Sequence, residues 1–215
     1  DFKQSAFNQD EIYMSLKKKA IGGVKWTTAS TVIVTILQLA QMSILARFLE
    51  PGDFGLMAIM MVVIGFSQAF QDMGISNAII QRQEISHTQL SSLYWLNIAA
   101  GAVLTLIVIA IAPLVAIFYE EPRITSLMIL LSSTFILVAI GNQYRVLCQK
   151  NMNFRTMEII NVSTSIVSLV VAAVMAYKGY GVLTLVWAMI TQAALSSLLF
   201  LWIGLKHYHK PSLVY

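Results

Sequence analysis

Arg47, Arg82, Arg145 and Lys150 stand at the ends of long apolar stretches, each within a turn or two of where a hydrocarbon core would begin. Asp72 and Glu158 occupy the same kind of position with the opposite charge. Any one of them can snorkel, laying its stem along apolar surface and its head among lipid headgroups. A whole set is harder to place that way, because a charge near mid-membrane costs ~2.5–3.5 kcal/mol even on lenient insertion scales. Cations on both rims of a bundle are better explained by a water-filled cavity that accepts an anion. Gln38, Gln41, Asn142 and Gln143 lie inside the apolar stretches. Their amides suit either hydrogen bonds between helices or a hydrated sugar path. Asp72 and Glu158 are the acids available to couple an ion.

Other chemistries find few residues to work with. H-E-x-x-H, G-x-S-x-G and phosphate-loop motifs are missing, and no stretch outside the apolar segments is long enough to fold a catalytic domain. The chain is not expected to be an enzyme, and no cofactor is implied. His207 and His209 sit in a basic, aromatic tail, which a lipid–water interface explains better than a metal; the remaining histidine is His87. Asn161-Val162-Ser163 matches a glycosylation sequon but falls inside an apolar stretch. The single cysteine, Cys148, excludes an intrachain disulfide.

Composition says what must hold these residues. Of 215 residues 58% are hydrophobic and 11% charged, with a mean hydropathy of +0.74, against about 25% charged in average soluble domains. The chain therefore reads as all-α, a polytopic membrane helix bundle with six spans at 24–48, 54–72, 90–112, 124–147, 156–177 and 182–205. The first is too long for a signal-peptide core. At 100° per residue its Thr27, Ser30, Thr31, Gln38 and Gln41 fall within an arc of about 100°, so that face meets other helices or water. Similar stripes join Thr134, Asn142, Arg145 and Gln149 on span four, and Glu158, Asn161, Ser165 and Ser168 on span five. Pro113 is expected to end or kink span three, leaving 114–119 at the interface, and 75–87 reads as a short amphipathic connection. Residues 1–13 read as a disordered tag or upstream segment, 14–208 as the membrane lobe, and 209–215 as the start of a linker.

Six spans put both ends on one side. Lys17, Lys18, Lys19, Lys25, Arg82, Arg145, Lys150, Arg155, Lys206 and Lys210 fall on that side, against Arg47, Arg123 and Lys178 on the other. The positive-inside rule then makes both termini cytoplasmic. The net charge of +4 follows from this topology, and no nucleic-acid partner is expected.

Residues 44–55 (ILARFLEPGDFG) and 72–82 (DMGISNAIIQR) resemble the polysaccharide-flippase family, which shares a superfamily with multidrug exporters and lipid II flippases. FYEEP at 118–122 and YRVLCQKNMNF at 144–154 support the resemblance, and EISH at 84–87 with LYWLN at 93–97 is closest to the colanic-acid exporter type. The resemblance implies a protein about twice this length, with two pseudo-symmetric lobes around a central cavity, of which this chain is the N-terminal one. It implies a place in the bacterial plasma (inner) membrane and a lipid-linked oligosaccharide as substrate, moved from the cytoplasmic to the outer leaflet on undecaprenyl diphosphate. Arg82, Arg145 and Lys150 would meet the diphosphate at the cytoplasmic mouth, with Arg47 near the exit. Gln38, Gln41, Asn142 and Gln143 would line the sugar path, while the lipid tail stays among membrane lipids. The missing C-terminal lobe, or a second copy of the chain, would be its partner. The rival readings are a non-transporting scaffold for polysaccharide assembly and a drug/cation antiporter. The antiporter wants acids deep in the cavity, whereas Asp72 and Glu158 lie near the rims.

Overall fold

A computed structural model describes the backbone of residues 2–72 and 87–207, and the side chains of 22–69 and 89–206. The described chain is all-α: α1 (Phe2–Leu45), α2 (Pro51–Asp72), α3 (His87–Phe118), α4 (Arg123–Lys150), α5 (Phe154–Tyr177) and α6 (Leu183–His207). Each contains a stretch long and apolar enough to cross a membrane. The chain is a polytopic membrane bundle, as its hydropathy predicts.

The turns explain where the helices stop. Leu49 N–H closes the end of α1 on Leu45 O at 2.9 Å. α2 then opens on Pro51, whose missing N–H costs nothing in a first turn, and Asp53 in that turn complements the helix dipole. Between α5 and α6 the chain reverses through Gly179 (φ 77°) and Gly181 (φ 53°), a region glycine enters without strain. A side chain at Gly181 would also meet the Asp53 carboxylate at 3.2 Å, so the two turns on this surface touch.

Two boundaries differ from the sequence expectation. α1 begins at Phe2, so residues 2–13 are helical where disorder was expected. No proline or glycine interrupts the chain before Gly22, and extending an existing helix needs no new nucleus. α3 runs through Pro113 to Phe118, so 114–118 is its C-terminal end and not a separate interfacial segment. Proline removes one backbone bond there, but Ala112 and Ala116 on either side are packed into the core and hold the helix in register. Most of the expected connection at 75–87 lies outside the described residues.

α4 is the hub. Met128, Leu131 and Phe135 pack with Met60 and Ile64 of α2, Val108 of α3 and Val186 of α6. Small residues set the closest approaches, as is usual where lipid supplies no hydrophobic drive. A methyl group on Gly141 would lie 2.6 Å from Ser197 Cα, and one on Gly204 would enter the Tyr144 ring. α5 leans on α6, where Ser168 Oγ donates to Ala188 O at 2.9 Å. α1 packs chiefly on α5, with Gly23 against the Phe154 ring at one end and Leu45 and Leu49 clustered with Ala172 and Ala176 at the other. The helices thus form a row, α3–α4–α6–α5–α1, with α2 against α3 and α4.

Candidate substrate cavity

A row bent this way leaves a trough, because α1 packs on α5 and α4 chiefly on α6, without α1 and α4 packing closely on each other. The trough is a cavity of about 570 Å³. Spacing of three and four residues turns each wall inward: Thr31, Thr35 and Gln38 from α1, Glu158, Asn161 and Ser165 from α5, Gln192 and Ser196 from α6. α4 contributes Arg145. Arg145 lies roughly 7 Å along the axis from the end of α4, and Glu158 about 6 Å from the start of α5, at 1.5 Å per residue. Both belong to the surface where Lys150 and Arg155 emerge. Gln38 lies about 24 Å along α1 from Gly22, so the cavity reaches past mid-membrane.

Most of the hydroxyls in the wall are donors already spent. Thr31 Oγ1 donates to Thr27 O and Thr35 Oγ1 to Thr31 O, both at 2.8 Å, and Ser165 Oγ donates to Asn161 O at 2.8 Å. Gln192 Nε2 in turn donates to Ser165 Oγ at 3.3 Å. A hydroxyl bonded this way still offers its lone pairs. Glu158, 9% exposed, accepts from Asn161 Nδ2 at 3.3 Å on its own helix. Among the described residues Arg145 forms no ion pair; the pair present there, Arg123 with Glu121 at 2.9 Å, is on the opposite surface. That contact holds the Glu121 carboxyl below its ordinary range. The cavity is thus one exposed cation, one nearly buried carboxylate and a wall rich in acceptors, suited to a solute with an anionic end and many O–H groups.

Of the residues expected at a site, Gln38, Arg145 and Glu158 come together here. Gln143 does not. It is 1% exposed, and its Nε2 donates to Leu90 O at 2.9 Å. With Asn97 Nδ2 on Ala139 O (3.1 Å) and Thr105 Oγ1 on Ser132 O (3.0 Å) it ties α3 to α4. Asn142 is buried off the cavity, and Gln41 is half-buried beyond its far end. Lys150 lies at the end of α4 and Arg47 in the turn after α1 at the opposite surface, neither in the wall. Arg82 and the side chain of Asp72 lie outside the described residues. Sequence reasoning passed over Gln192 and Ser196, whose four-residue spacing within the last span was the available signal.

The two surfaces differ in charge. Arg155 lies 5.4 Å over the Trp26 ring and Lys206 5.5 Å from that of Trp202, on the surface that also carries Lys25 and Lys150. Glu50, Asp53, Glu120 and Glu121 lie in the turns at the other.

Known proteins carry the same sequence pattern. The family described as "Polysaccharide biosynthesis protein" matches residues 44–214. The lipopolysaccharide biosynthesis protein WzxC of Escherichia coli (strain K12) is 36% identical over 200 residues, covering 93% of this chain and 40% of that protein. The teichuronic acid biosynthesis protein TuaB of Bacillus subtilis (strain 168) is 31% identical over 201 residues, covering 94% and 41%. The succinoglycan biosynthesis transport protein ExoT of Rhizobium meliloti (strain 1021) is 25% identical over 181 residues, covering 84% and 36%. The chain thus spans about two-fifths of the length of these relatives. No solved structure matches it. From the family match across five of its helices and the last of its α1 residues, on a bundle of six membrane-spanning helices, the chain belongs to the polysaccharide biosynthesis protein family, the polysaccharide flippases that its motifs resemble.

Proposed function

We propose that this chain is one lobe of a transporter that moves a lipid-linked oligosaccharide from the cytoplasmic to the outer leaflet of the bacterial plasma membrane. Both termini are cytoplasmic in this reading. The observation that carries it is a polar cavity, with Arg145 at its mouth, inside a bundle of membrane-spanning helices. An unpaired anion brought into hydrocarbon costs tens of kcal/mol by Born estimates, so a diphosphate needs cations where it enters. Arg145 supplies one, with Lys150 at the same end of the bundle, and Arg82 is proposed from the sequence as another. Glu158, at a similar depth on α5, repels the phosphates and accepts hydrogen bonds from sugar hydroxyls; Gln38 and the serine and threonine oxygens are further acceptors. Glu158 is also the acid placed to couple an ion, since protonation removes both its charge and its strongest acceptor. Relatives named for lipopolysaccharide, teichuronic acid and succinoglycan synthesis support a large glycan as cargo. The greater length of those relatives supports a second lobe that closes the trough and rocks against this one.

The test is leaflet exchange. In proteoliposomes the complete two-lobe protein should carry a fluorescent undecaprenyl-diphosphate oligosaccharide to the far leaflet. The 215-residue chain alone should leave it where it began. No exchange by the complete protein sinks the transport reading, and exchange by a monomeric sample of this chain makes it a transporter in its own right.

Sidedness is tested separately. Cys148 is fully buried and reports poorly on either face. Met152→Cys, in the exposed turn between α4 and α5, should react with a membrane-impermeant maleimide in inverted vesicles and stay unlabelled in right-side-out ones. The reverse pattern overturns the orientation.

A further inference from the structure

α1 and α5 diverge on both sides of their contact. On one side lies the polar cavity. On the other a groove of about 290 Å³ opens toward the membrane, walled by Trp26, Ile33, Ile159, Val162 and Ile166 and hydrocarbon over its accessible surface. Ser30 and Glu158 border both spaces. The seam is closed tightly at its ends, by Gly23 on Phe154 and by Leu45 and Leu49 on Ala172 and Ala176. Between those ends it holds these two polar side chains. Glu158 is bonded to its own helix and not to α1.

We propose that this groove seats the isoprenoid tail of the lipid whose diphosphate and sugars occupy the cavity, a single amphiphile straddling the α1–α5 seam at Ser30 and Glu158. The inference rests on the cavity reading above. A molecule polar at one end and apolar at the other finds matching surfaces side by side across this seam. A bilayer phospholipid does not need that adjacency, because its headgroup stays at the surface. Lipid is as apolar as the groove, so a tail gains nothing by burial alone. Selectivity comes from tethering: a head held at Arg145 raises the effective concentration of its own tail at the groove across the seam.

Photo-crosslinking reads this directly. Benzoylphenylalanine replaces Ile159 in the groove or, as a control, Val170 further along α5; both side chains are half-exposed and tolerate replacement. The chain is placed in nanodiscs of phosphatidylethanolamine and phosphatidylglycerol doped with undecaprenyl diphosphate. Isoprenoid adducts at position 159 should exceed those at 170 by roughly tenfold, the enrichment that ~1.4 kcal/mol of site preference produces. Arg145→Ala, by releasing the head, should bring position 159 down to the level of 170. Phospholipid adducts alone at 159 would make the groove an annular lipid site and overturn the proposal, as would equal isoprenoid labelling at the two positions. Capture involves no transport step. A chain that captures the tail although the complete protein flips nothing keeps the groove and removes the transport reading; flipping without capture removes the groove alone.

Discussion

Replacing Arg145 by alanine in the complete protein is expected to lower glycan export by roughly ten- to a hundredfold, the factor that loss of a ~1.5–3 kcal/mol charged hydrogen bond gives. Membrane abundance should not change. Arg145 is exposed in the cavity and makes no ion pair among the described residues, so nothing in the packing of α4 depends on its head. Arg145→Lys should fall between the two, because an ammonium keeps the charge but cannot hold a diphosphate through a planar fork. The checks are surface polysaccharide per cell and transporter per milligram of membrane. Undiminished export at normal abundance would reduce Arg145 to a snorkelling residue and take the diphosphate away from this cavity.

The second large effect is structural. Gly141→Ala is expected to destabilise the bundle by about 1–3 kcal/mol, the usual cost of overpacking, which lowers Tm by roughly 2–10 °C for a chain of this size. The new methyl would lie 2.6 Å from Ser197 Cα and 3.0 Å from Ser197 O, backbone that cannot yield without moving α6. Gly65→Ala, on α2, is the matched control. Its methyl meets nothing within 4 Å, and alanine is the better helix former, so Tm should hold or rise. Equal shifts for the two variants would show that α4 and α6 do not approach as closely as Gly141 requires. Because both Arg145 and the α6 wall depend on that approach, a Gly141→Leu protein that still inserts should also export poorly.

Span number was legible because length and hydropathy alone decide whether a segment crosses a bilayer. The composition of the cavity was legible only in part. A polar stripe gives the direction of a face and not what lies opposite it. Asn142 and Gln143 are neighbours in sequence and point 100° apart, and both are buried off the cavity. Gln143 answers Leu90 O, a partner supplied by a helix far back in the chain. Arg145 and Glu158 reach one cavity because α1 leans on α5 and leaves their side open. That arrangement depends on Gly23 meeting Phe154 and on Leu45 meeting Ala172, contacts between small and large residues that have no periodic signature. Gln192 and Ser196 belong to a span that stays apolar on average, so its hydropathy does not single them out. The helix over residues 2–13 was hidden for a different reason, since a polar composition with no breaker describes a helix extension and a disordered tail equally well.

The back-bonded hydroxyls of α1 bear on how the protein is made. α5, the helix on which α1 packs, follows it by roughly 110 residues, on the order of ten seconds at cellular synthesis rates. For that interval α1 sits in the bilayer without its neighbour. Thr31, Thr35 and Ser43 spend their protons on carbonyls of their own helix, so these hydroxyls can wait in hydrocarbon at little cost, while the amides of Gln38 and Gln41 have no such local partner among the described residues. Arg145 and Glu158 arrive on later helices, each within about two turns of a headgroup layer that shelters it until the bundle closes. The order of synthesis thereby limits how polar the first wall can be, and the charged groups of the cavity fall to later helices.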